Sequence, residues 1–128
     1  MLLLFILLAF AAIITVDVWA AIAVIFGRGG GGKFSISYFA VAILVFIVAF
    51  LMTQYFSYYH NPNTRFFGWP IPRVVFQRDT PTSPWLDYVG PTVVLAYPMN
   101  FVIFMFIPSV VFIILALRRR REIHETVA

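Results

Sequence analysis

Apolar residues run almost unbroken from Leu2 to Phe26, interrupted by Thr15 and Asp17, again from Ile36 to about Phe56, and a third time from Pro98 to Leu117. Each run is about 20 residues or longer, enough for an α-helix to cross roughly 30 Å of hydrocarbon at about 1.5 Å per residue. The runs are apolar all round, as expected of helices solvated by lipid. Two polar segments separate them: a glycine-rich link, Gly27-Arg28-Gly-Gly-Gly-Gly-Lys33, and a longer stretch, residues 59–97, with six of the eight prolines and two of the three tryptophans. The pattern predicts an all-α integral membrane protein with helices over 2–26, 36–58 and 98–117, and one membrane domain over residues 1–128.

Composition strengthens that expectation. The 128 residues are 62% hydrophobic and 11% charged, and a mean hydropathy of +0.96 lies far outside the range of soluble domains. There is no cysteine, which removes disulfides, thiolate metal sites and cysteine nucleophiles together. Neither metal-ligand spacing, a Ser-His-Asp set nor paired carboxylates occurs, so no enzyme activity and no cofactor is expected. The net charge of +4 reads as a topology signal, since most basic residues flank apolar runs, and nucleic acid is not an expected partner. With Arg118 to Arg121 in the cytoplasm, three crossings place Arg28 and Lys33 there too, six of the nine basic residues. The amino terminus and the 59–97 stretch then lie outside.

The first apolar run lacks a basic leading region, is too long for a signal peptide and is followed by no small-residue cleavage site, so a retained helix is expected. Asp17 lies a little past its middle, where an ionised carboxylate costs at least about 2.5 kcal/mol. Helical spacing puts Phe10, Ile13, Ala20, Ala21 and Val24 on its face, and the alanines would let another helix approach closely. Asp17 is the candidate intramembrane polar site: a proton or cation relay, or an ion pair with a partner subunit. The simpler reading is a neutral or hydrogen-bonded acid inside the bundle, because a relay needs a second titratable group at similar depth and the other two runs offer none.

The glycine link fails the phosphate-loop pattern, with Phe34 where a hydroxyl residue should stand, and reads as a hairpin connection. Ser35 or Ser37 can cap the second helix. Its end, Thr53-Gln54-Tyr55-Phe56-Ser57-Tyr58-Tyr59-His60, is a cluster suited to the membrane interface. A lone histidine beside Asn-Pro is an ordinary helix-end residue rather than a haem ligand, because His124 belongs on the opposite side.

Beyond Asn61-Pro62-Asn63, the run Gly68-Trp69-Pro70-Ile71-Pro72 is expected to be stiff and extended. Val74 to Gln77 is β-prone, but one isolated strand is not a sheet. Ser83-Pro84-Trp85-Leu86-Asp87 has the form of a helix start, predicting a short interfacial helix. Ion pairs between Arg65, Arg73 or Arg78 and Asp79 or Asp87 are expected to be weak. The ordered loop is the candidate docking surface, through Trp69, Pro70, Pro72, Arg73 and Trp85, with self-packing over its own helix ends as the alternative. In the third run, Asn100 is expected near the outer end as a cap or a helix-to-helix hydrogen bond. Pro108 should kink the span, with Ser109 available to satisfy a freed carbonyl.

Gly68, Trp69, Pro70, Pro72, Ser83, Pro84, Trp85, Leu86 and Asn100 together resemble a loosely defined group of small bacterial integral membrane proteins. These carry a Gly-aromatic-Pro-x-Pro loop, a Ser-Pro-Trp-Leu-like start and an Asn in the last span. The resemblance covers the second half of the chain and brings no known activity; it implies a multi-pass protein of the bacterial plasma membrane. Size, apolar helices and a rigid loop point to an accessory or structural subunit of a larger membrane complex. The competing expectation is an oligomeric transport or proton-conducting component that uses Asp17. The expected partners are the lipid bilayer and membrane-protein subunits or further copies of the chain.

Overall fold

The computed structural model describes residues 1–27 and 31–128; Arg28, Gly29 and Gly30 of the glycine link lie outside the described residues. The order of elements is α1 (Leu2–Ile25), α2 (Gly32–Tyr55), β1 (Ser57–Asn61), β2 (Thr64–Phe67), β3 (Val74–Gln77), β4 (Leu86–Val89) and α3 (Thr92–Val127). The three helices are long and apolar enough to cross a membrane. The segment between α2 and α3 is a four-stranded sheet in the order β1-β2-β3-β4, with every neighbouring pair antiparallel.

This sheet corrects the expectation of an ordered loop with a short interfacial helix. Four short β-prone segments, each too short to be stable alone, pair into a meander in which β2 and β3 are paired on both sides and β1 and β4 on one. The β1–β2 turn is set by Asn61, whose Oδ1 accepts the Asn63 N–H at 2.9 Å, the local bond that favours asparagine in turns. The run from Gly68 to Pro72, expected to be extended, folds back within the β2–β3 connection, residues 68–73. Gly68 N–H donates to the Phe56 carbonyl at 2.8 Å and Arg73 N–H to the Phe67 carbonyl at 2.8 Å. Gly68 has φ +97°, a conformation open to glycine and strained for other residues.

Ser83 caps no helix. Its hydroxyl bonds Thr80 Oγ1 at 2.6 Å and its N–H donates to the Thr80 carbonyl at 3.0 Å, so Pro81 and Pro84 sit in a turn that feeds β4. Arg65 and Arg78, two of the three arginines expected in ion pairs, take other partners. Arg78 donates to the carbonyls of Pro81 and Pro62, both at 2.9 Å, and lies over the Trp85 ring at 4.4 Å. Arg65 lies over the rings of Tyr59 at 5.2 Å and Phe67 at 4.7 Å.

Helix boundaries also differ. α2 starts at Gly32 rather than at a serine cap: Ser37 Oγ bonds back to the Lys33 carbonyl and Ser35 Oγ reaches the Val24 carbonyl at 3.3 Å. It ends at Tyr55 because Ser57–Asn61 belongs to β1. α3 begins at Thr92, immediately after Pro91, and continues through Pro98 and Pro108 to Val127, 36 residues in all. In lipid the chain gains more by keeping its backbone hydrogen bonds than by breaking at a proline. At about 54 Å, α3 exceeds the hydrocarbon thickness, so residues 118–127 continue it as a polar extension.

Two compact units are present. In the first, Met1–Leu44 with Val102–Ala128, the core holds Ala20, Val24, Phe34, Tyr38, Met105, Phe112, Ile113 and Ala116. Phe112 is its aromatic centre, 5.5 Å from Phe34 and 5.1 Å, edge-on, from Tyr38. In the second, Val45–Phe101, Ala49, Thr53, Ala96 and Asn100 are buried beside Thr64 and Val74 of the sheet.

A Cβ at Gly68 would stand 3.1 Å from both Arg73 N and the Thr53 carbonyl oxygen. Gly68→Ala is therefore expected to cost about 1–3 kcal/mol, seen as a lower melting temperature in detergent; an unchanged melt would refute the strained-turn assignment.

Candidate functional site

The second unit is organised by Asn100, a polar residue with no exposed surface on the apolar part of α3. Its carboxamide pairs with one peptide residue on both sides: Oδ1 accepts the Ile71 N–H at 2.8 Å and Nδ2 donates to the Ile71 carbonyl at 2.9 Å. Nδ2 also donates to Thr53 Oγ1 at 2.9 Å, and the Thr53 hydroxyl donates to the Ala49 carbonyl at 2.7 Å. Ile71 lies between Pro70 and Pro72, so its N–H is the only backbone donor in that tripeptide. A buried N–H without a partner is costly, and Asn100 removes that cost while fastening the β2–β3 connection to α2 and α3. Beside the knot, the Tyr97 hydroxyl donates to Gln54 Oε1, and the Tyr97 ring lies 5.6 Å from Phe50. Phe46, Ala49, Phe50, Tyr97 and Phe101 line a shallow groove of about 290 Å³.

The first unit contains the carboxyl singled out in the sequence. The α1 face around Asp17 turns inward: Ala20 and Val24 are buried, and Phe10, Ile13, Asp17 and Ala21 half-buried. Both Asp17 carboxyl oxygens are inaccessible and make no hydrogen bond of good geometry, and the same holds for the Ser109 hydroxyl. Ser109 from α3 and Tyr38 from α2 share the electrostatic environment of Asp17. Each helix thus contributes one oxygen-bearing side chain to a cluster that the sequence does not reveal, since 17, 38 and 109 are related by no spacing. Ser109 faces this cluster and leaves the backbone of its own helix unbonded by its hydroxyl.

The candidate docking residues are spread along the sheet. Trp69 is 44% exposed, and Pro70, Pro72 and Arg73 are half-buried in the same β2–β3 connection. Trp85, immediately before β4, is partly consumed internally, by Arg78 and by the Tyr59 ring at 6.3 Å. The register places Tyr59, Arg65, Phe76 and Asp87 in one cross-strand row. β4 is exposed along its whole length, with Leu86, Tyr88 and Val89 each more than half accessible. His60 is exposed on β1 with its ring 5.7 Å from Phe66. Among the described residues, no three His, Cys, Asp or Glu side chains could hold a metal ion.

Comparison with protein-family models, curated proteins and solved structures found no match, so a functional reading rests on these residues and their geometry.

Asn100→Leu would strand the Ile71 N–H and carbonyl in an apolar setting, at about 1–3 kcal/mol for each group. The expected result is a lower melting temperature with faster amide exchange at Ile71 than at Tyr38; uniform exchange changes would remove Asn100 from its role as the fastener.

Proposed function

We propose that this chain is an accessory or structural subunit of a larger membrane complex that offers its sheet to a partner. The observation that supports the reading is the pairing of a fastened base with an open edge. Asn100 and Thr53 hold the β2–β3 connection rigidly, while β4 and Trp69 remain accessible. Preorganisation of this kind lowers the ordering cost of association, and an exposed strand edge with apolar side chains is a surface that other chains pair with. The reading assigns no reaction to the chain. It includes a bacterial plasma-membrane location, with the amino terminus and the sheet outside and the arginine run inside, on the distribution of basic residues. The loop resemblance to small bacterial membrane proteins belongs to the same proposal.

A second reading, a transport or proton-conducting component, is favoured by one observation: Asp17 meets Ser109 and Tyr38 from the other two helices, with its oxygens unsatisfied. Ionisable side chains inside a membrane span are rare, and ion and proton paths are among the sites they mark. Three helices alone enclose no path, so this reading requires an oligomer.

Extraction from the native membrane in mild detergent should give a native-gel band far heavier than the 14.6 kDa chain, with other proteins in fixed ratio. Trp69→Ala should release the chain, still folded, from that band. Migration alone or as a small homo-oligomer rejects the accessory reading. The second reading predicts an ion flux in liposomes that Asp17→Asn abolishes without unfolding; absence of flux in the unsubstituted protein dismisses it.

A further inference from the structure

Residues 118–127 continue α3 beyond Leu117, the last residue of its apolar run. At about 100° per residue, Arg120, Ile123, His124 and Val127 fall within an arc of about 100°, and Glu122 and Glu125 fall on the opposite flank. One flank is therefore cationic and apolar at once, with the acids turned away. That flank and Phe26, at the end of α1, line a groove of about 530 Å³. Phe26 and Val127 are about four-fifths exposed and Ile123 about half, so the apolar wall is open.

Arg120 is drawn to the end of α1. One of its guanidinium nitrogens lies 3.1 Å from the place a Cβ would occupy at Gly27, where a side chain would also meet the Ala23 carbonyl oxygen at 2.0 Å. Glycine at 27 is what lets the cation approach. Arg119 is committed elsewhere, over the Phe34 ring at 4.4 Å. The groove thus has an individually placed guanidinium rather than an undifferentiated run of four.

We propose that this groove binds the headgroup of an anionic phospholipid. Arg120 pairs with the phosphate, Phe26 at the end of α1 borders the first carbons of the acyl chains, and His124, Ile123 and Val127, further along α3, line the side of the headgroup that faces away from the bilayer, where His124 donates a further hydrogen bond. Depth and charge both select this occupant. The groove starts where the apolar run stops, the level of phosphates in a bilayer, and basic pockets beside membrane helices suit anionic headgroups. Inorganic phosphate would leave the apolar wall unused, and a neutral hydrocarbon would leave Arg120 unused. The volume lies within the range of small-molecule sites.

The test uses the full chain, delipidated in neutral detergent, with phosphatidylglycerol, phosphatidylcholine or inorganic phosphate added, read by native mass spectrometry and thermal melting. Phosphatidylglycerol is expected to remain bound at one per chain and to raise the melting temperature, and the other two are not. Arg120→Gln should weaken retention about tenfold or more, the loss of one charge-assisted bond. Arg121→Gln removes the same charge outside the groove and should change it less than about twofold. Ile123→Asn, which keeps every charge, should also weaken retention. Equal losses in the two arginine variants would overturn the site in favour of diffuse attraction, and competition by inorganic phosphate would make it a simple anion site. An Ile123→Asn variant that retains lipid fully would exclude the apolar wall and with it the proposal.

Discussion

The pairing of the Asn100 carboxamide with the backbone of Ile71 is the constraint on which the second unit depends. A carboxamide presents a donor and an acceptor side by side, the same pair that a peptide presents, so it can complete a backbone segment that has no strand or helix of its own. Between two prolines, Ile71 cannot be completed by its neighbours. Without Asn100 the chain would bury a bare peptide or withdraw the connection from the helices. The close approach at Gly68 follows from the same fastening, since the turn must bring Ile71 against α2 and α3 with no side chain in between. The meander then inherits its position: β2 enters the fastened turn and β3 leaves it.

The helices obey a different economy. In hydrocarbon a polar side chain is tolerated where it is paired, and the Thr53, Gln54, Tyr97 and Asn100 groups all are. The Asp17 and Ser109 oxygens are the weakest case: they face each other, but within the described residues neither makes a hydrogen bond of good geometry. Packing in the first unit supplies no compensation there; it is carried by small residues and by the Phe34–Phe112–Tyr38 ring cluster. An acid kept inside the bundle with only the Ser109 hydroxyl near enough to pair with it, and that with poor geometry, is a feature that stability alone does not favour. For that reason the transport reading stands beside the accessory one.

Much of the fold was legible, and the failures have a common cause. The three spans could be placed because hydropathy reports a property of each segment by itself: the free energy of moving it into hydrocarbon. Asp17 and the inward face around it were legible for the same reason, as a costly residue and a periodicity. The ends were less so. Pro98 reads as a boundary in water, yet α3 runs through it, because the alternative in lipid is an unbonded backbone. Tyr58, Tyr59 and His60 read as a helix end at the interface, and they are a strand; amphipathic aromatics suit both settings equally.

The sequence by itself determined that three stretches are long and apolar enough to cross a membrane, that the connection between the second and third is stiffened by proline, and that cysteine chemistry is absent. Tertiary structure alone decided that Tyr58, Phe66, Val75 and Tyr88 stand in one row across four strands, that Asn100 answers Ile71, and that Asp17 meets Ser109. Partition into lipid is a sum over neighbouring residues and can be read locally. A strand of four residues, or a hydrogen bond across 29 positions, has no stability until its partner is in place. The choice among partners is made by the whole chain at once.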